Sequence, residues 1–178
     1  MDSSTALRVL PELKLPRKVE DDPRREAIRA VLSKGRQPLW EKSPYQVSEF
    51  AWTAALERVL SNALLSRKIE LGIDKIKGVL EQQKRGLDAL YAKQGTEPAN
   101  RILRNLIASN DGSERLYRSC EALLTKNGDR LLMLRSNVPA AQMGAKIFGP
   151  DRDIKVILVT DREHVENLLF ALVEAPSA

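Results

Sequence analysis

Two short, nearly unbroken apolar runs lie towards the end of the chain, at residues 131–134 (LLML) and 154–159 (IKVILV). Between them VPAAQMGAKIFG repeats Ala140, Met143, Gly144 and Ile147 at helical spacing. Apolar runs without alternation predict strands covered on both faces, the usual state of parallel strands. The connection is long enough for a right-handed crossover helix. A further helical pattern follows residue 161, so the expected order here is strand, helix, strand, helix.

Upstream the pattern is helical. Residues 1–22 are interrupted by Pro11 and Pro16 and read as an irregular arm, in which residues 7–10 are placed to add to a sheet edge. Asp22-Pro23 starts a short helix that Gly35 stops. Ser43-Pro44-Tyr45-Gln46 has the form of a capping box, and from there to residue 93 the chain reads as helix. Within it Ile69, Ile73, Ile76, Leu80, Gln83, Leu87 and Leu90 step by three and four along one coiled-coil-like seam, with Gln83 the polar exception. Thr96 caps a further expected helix through Ile102, Leu103, Leu106 and Ile107. Another begins after residues 111–114 (DGSE) and turns Leu116, Cys120, Leu123 and Leu124 inward.

These elements predict an α-rich α/β protein, a helical bundle followed by a small βαβα module with a short parallel sheet. The divisions are an arm at 1–22, a helical region at 23–127 and the module at 128–174, packed together as one domain or more. Two parallel strands make a poor sheet alone, so the arm or a second subunit is expected to complete it.

Composition narrows the partners. Of 178 residues, 43% are hydrophobic but only 4% aromatic, so the core is aliphatic. The formal charge of +5 is spread over the first two-thirds: residues 128–178 carry six basic and seven acidic groups. Such an excess permits anionic partners without demanding them. One cysteine and one histidine leave no thiolate-rich or multi-histidine metal site, and no metal or cofactor is expected. No signal-peptide pattern opens the chain and no stretch matches a membrane span, so the expected setting is cytoplasmic, without a membrane.

Candidate chemistry lies where the two predicted strands end. Arg135, Ser136 and Asn137 follow the first, and Thr160, Asp161 and Arg162 follow the second. Beyond the carboxyl ends of parallel strands, near helix N-termini, such residues are placed to bind an anion. Helix capping by Asn137 and by Thr160 with Glu163 is the competing and simpler explanation. No phosphate loop and no catalytic triad is present, His164 reads as a half-exposed helical residue and Cys120 as a small core hydrophobe.

The expected function is therefore a non-enzymatic interaction or assembly protein that pairs with a protein partner or its own copy through the 69–90 seam. The alternative is a nucleic-acid-associated protein binding weakly through basic helical surfaces. An enzyme or binder of a phosphorylated small ligand at the strand ends is the third reading.

Overall fold

The computed structural model describes residues 13–96 and 100–175. In chain order these form α1 (Arg17–Glu20), α2 (Arg25–Ser33), β1 (Arg36–Pro38), β2 (Gln46–Phe50), α3 (Ala54–Leu65), β3 (Ile69–Leu71) and α4 (Ile73–Gln94). Then follow β4 (Arg104–Ala108), α5 (Glu114–Asn127), β5 (Leu131–Ser136), α6 (Ala140–Ile147), β6 (Val156–Val159) and α7 (Arg162–Ala171). The fold is mixed α/β, as expected. One six-stranded sheet runs β1-β2-β5-β4-β6-β3, in which β2, β5 and β4 are mutually parallel and β1, β6 and β3 pair antiparallel to their neighbours.

Both faces of the sheet are covered. Ile107, Leu132, Leu134, Ile157 and Val159 point to one face, under helices α1, α2, α3, α6 and α7. Leu106, Ala108, Leu131, Met133, Val156 and Leu158 point to the other, under α4 and α5. Successive strand residues alternate between the two cores, which is why the runs in β5 and β6 are apolar throughout.

The relation between β5 and β6 differs from the expected parallel pair: β4 lies between them and β6 runs the opposite way. The cause is the path after α6. Ile154 N–H donates to Ala140 O at 3.0 Å, so the chain doubles back along the helix to its starting end. Gly144 permits this, since a Cβ there would lie 1.4 Å from the Arg152 carbonyl oxygen. The chain therefore enters β6 at the end of the sheet where it left β5.

Three stretches read as helix are strands. Residues 46–50 form β2, and Ser43 caps no helix; its hydroxyl donates to Glu121 Oε2 at 2.8 Å, while Thr53 caps α3 by accepting from Leu56 N–H at 3.2 Å. Residues 69–71 form β3, ended by Gly72 at φ 83°, so the helix starts at Ile73. Residues 104–108 form β4. These strands extend the sheet within the chain; residues 7–10 and the expected helix start at 97–98 lie outside the described residues. Residues 13–22, read as part of the arm, bury Leu13, Leu15 and Val19 and contain the short helix α1.

Candidate functional site

Because β6 runs against β5, the two predicted halves of the strand-end site lie at opposite ends of the sheet. Ala108 and Arg135 are register partners at one end, and Asn105 and Val159 at the other. Arg135, Ser136 and Asn137 are therefore together, Thr160, Asp161 and Arg162 are together, and the two groups do not meet.

At the first end every group has work inside the chain. Arg135 is 8% exposed; it donates to Leu39 O at 3.4 Å and Gln37 Oε1 at 3.2 Å, pairs with Glu49 Oε2 at 3.6 Å, and stands over the Tyr117 ring at 5.8 Å. Ser136 Oγ closes a local turn with Val138, and Asn137 Oδ1 accepts from Trp52 N–H at 2.9 Å. Asp111 Oδ1 accepts from Ala140 N–H at 3.0 Å, at the start of α6. Asn137 is therefore not the expected N-cap, a position held by Pro139, and strand and loop tethering account for Arg135, Ser136 and Asn137.

At the second end Asp161, not Thr160, is the N-cap of α7: its Oδ1 accepts from His164 N–H at 3.2 Å and bonds the His164 Nδ1 at 2.5 Å. Thr160 N–H donates to Lys68 O at 2.9 Å, and Arg162, with a side chain 70% exposed, reaches Glu166 at 3.8 Å. His164 lines an open groove between α3 and α7 with Arg58, Asn62 and Asn167. Its two arginines are matched by carboxylates, Arg58 by Glu174 at 3.0 Å and Arg24 by Asp22 at 2.9 Å. Cys120 is buried, and burial pushes its thiol up to about 12, far from nucleophilic use at neutral pH. Among the described residues no group of three or more His, Cys, Asp or Glu is placed to hold a metal ion.

The seam has a divided character. Ile69 belongs to β3, and α4 carries the rest. Ile76 and Leu80 are 0% and 3% exposed, packed with Leu106, Cys120 and Leu124 in the core under α4 and α5. Gln83 and Leu87 are half-buried, and Leu90 is 47% exposed. Leu65, at the end of α3, is the other large exposed hydrophobic residue among those described, at 82%.

What the sequence did not bring to notice is the partner of Gln83. Its Oε1 accepts from Arg104 Nε at 2.6 Å, and Arg104 Nη1 donates to Leu103 O at 2.7 Å. Arg104 opens β4, while Arg130 immediately precedes β5, so strand pairing brings both arginines beneath the distal half of α4. The one signal in the sequence was a polar residue breaking an apolar seam.

No family model matches the chain, and no curated protein matches it significantly. Among solved structures, a protein with unknown function from Bacillus halodurans C aligns with a TM-score of 0.45 at 18% identity, over 69% of this chain and 100% of that one. That likeness is too distant to bear on function. No helix among the described residues is long and apolar enough to cross a membrane.

Proposed function

We propose that the chain is a non-enzymatic association protein whose contact surface is the distal half of α4, residues 84–94, and that it takes a helix from a partner protein or a second copy. One observation carries this reading. A single seam passes from complete burial at Ile76, 0% exposed, to open solvent at Leu90, 47% exposed. The proximal half is already committed to the core, so only the distal half is available for pairing. Apolar residues at that spacing on an exposed helix match the anchors by which helices pack on one another.

The test is solution mass and melting temperature for wild type, Leu90→Asp and Ile76→Asp, with amide hydrogen exchange across residues 84–94. Leu90→Asp is expected to remain folded and to lose association. Ile76→Asp is expected to unfold, because its site is core and an unpaired charge there is not tolerated. A monomeric wild type whose 84–94 amides exchange as an open helix, with or without cell extract, contradicts the proposal.

A further inference from the structure

Under the distal half of α4, three cations meet one carboxylate. Lys84, Arg104 and Arg130 line a small recess with Gln83 and Asn127, at the amino ends of β4 and β5. Asp88 serves two of them, bonding Lys84 Nζ at 2.8 Å and pairing with Arg130 Nη2 at 3.6 Å. Arg104 has no carboxylate within ion-pairing distance among the described residues. Its Nε and Nη1 are taken by the neutral oxygens of Gln83 and Leu103, which leaves Nη2 uncommitted. Asp161 acts on it only through space, and that carboxylate already caps α7 and holds His164.

From this juxtaposition we propose that the recess is an oxyanion site that takes a phosphate group, with Arg104 Nη2, the Arg130 guanidinium and the Lys84 ammonium as donors. Burial pushes the Arg104 pKa down, so its charge is held at a cost that an incoming anion offsets. Guanidinium forks match phosphate geometry, and charge-assisted bonds of this kind are the stronger class of hydrogen bond. Size limits the ligand. The recess measures about 20 Å³, room for one water-sized group. It therefore admits one phosphate oxygen while the rest of the ligand stays at its mouth, and it does not enclose a metabolite. The donor set serves free inorganic phosphate and the phosphodiester backbone of a nucleic acid equally. The site stands whether or not α4 pairs with another helix.

The experiment titrates the full chain with sodium phosphate and, separately, with a ten-nucleotide single-stranded DNA. Sodium chloride at matched ionic strength is the blank. The Arg104 and Arg130 Nε–H signals and the Gln83 side-chain amide are followed by NMR. Saturable shifts at these groups, absent with chloride, are expected. Arg130→Gln is expected to weaken binding about tenfold while leaving the Gln83–Arg104 contact in place. A response to phosphate identifies free phosphate as a source, a response to DNA alone identifies a phosphodiester backbone, and either supports the site. No shift with either ligand overturns it, as does unchanged affinity in Arg130→Gln. Because both readouts are made without altering Arg104, they do not depend on that variant folding.

Discussion

Arg135 and Arg104 sit on adjacent parallel strands, at opposite ends of the sheet, and both are drawn out of water. Arg135 finds its partners within the chain: Glu49, Gln37, a carbonyl of Leu39 and the ring of Tyr117, from both β1 and β2, the loop after β1, and α5. It ties β1 and β2 to the central strand β5. Arg104 finds only neutral oxygens, and its nearest cationic neighbours compete for a single aspartate. A buried ion is kept by a fold when the fold supplies its counter-charges. Where it supplies them, the residue belongs to the architecture. Where it does not, the charge is left open to a counter-ion from outside, which is the role proposed above for Arg104.

The largest effect is expected from undoing the geometry that separates the two ends. Gly144→Ala drives a Cβ to 1.4 Å from the Arg152 backbone oxygen, which no rotamer change relieves. The return path from α6 to β6 must then shift, at about 3 kcal/mol or more. Chemical denaturation should show either that loss or no cooperative transition. A variant as stable as wild type would mean that residues 148–155 do not lie flush on α6.

The arginines themselves come next. Arg135→Met strands a buried carbonyl and leaves Glu49 without its cation, an expected loss of about 2 kcal/mol. Arg104→Met strands no carboxylate, and its loss should stay below about 1 kcal/mol. Urea midpoints at equal slope decide the order. If Arg104→Met is the more damaging, Arg104 is architectural, and the contrast between the two ends disappears.

How much of this was legible in the sequence follows the same division. Helices α2, α5, α6 and α7 and strands β5 and β6 announced themselves through turn residues and apolar runs, but not through the expected caps: α6 and α7 are capped at Pro139 and Asp161, not at Asn137 and Thr160. Continuous apolar runs report burial on both faces, which β6 has as an antiparallel strand between β4 and β3, so direction could not be read from them. Strand β4 was hidden because Arg104 and Asn105 interrupt it and leave Ile102, Leu103, Leu106 and Ile107 at helical spacing. Asn105 is wholly buried and its side-chain amide has no hydrogen-bond partner among the described residues, so no propensity argument would place it in a central strand. Gln83 was visible as an anomaly, but its partner lies 21 residues away on an element read as helix.

That anomaly gives a prediction of intermediate size. A polar residue in a core seam normally costs stability, and replacement by leucine normally restores it. Here Gln83→Leu instead removes the acceptor of Arg104 Nε, so a loss of about 1 kcal/mol is expected. Combined with Arg104→Met, most of that loss should vanish, because no donor is left stranded. A double-mutant cycle with a coupling of about 1 kcal/mol checks this. Strict additivity would mean that the 2.6 Å contact contributes nothing.

The smallest effect concerns Asp88, the carboxylate that Lys84 and Arg130 share. The hydrogen bond from Lys84 holds Asp88 below its usual value of 3.8, with the charge of Arg130 adding to the depression. A carboxyl whose folded pKa is depressed contributes stability above its unfolded value and loses it as pH falls through the folded one. The window therefore opens below pH 3.8 and ends at the depressed pKa. Asp88 is exposed, so the direction matters more than the size. An NMR titration should find the Asp88 midpoint below the ordinary aspartate range, and Lys84→Gln should raise it more than Arg130→Gln, since the Lys84 bond is the larger cause. A bound phosphate must move the same midpoint upward, because a second anion beside Asp88 disfavours its ionisation. Asp22, held at about 2 by Arg24 in a separate ion pair, serves as the reference that should not move. An Asp88 midpoint indifferent to phosphate, with Arg104 shifting normally, would place the anion on the Arg104 side of the recess and remove Lys84 from its donors.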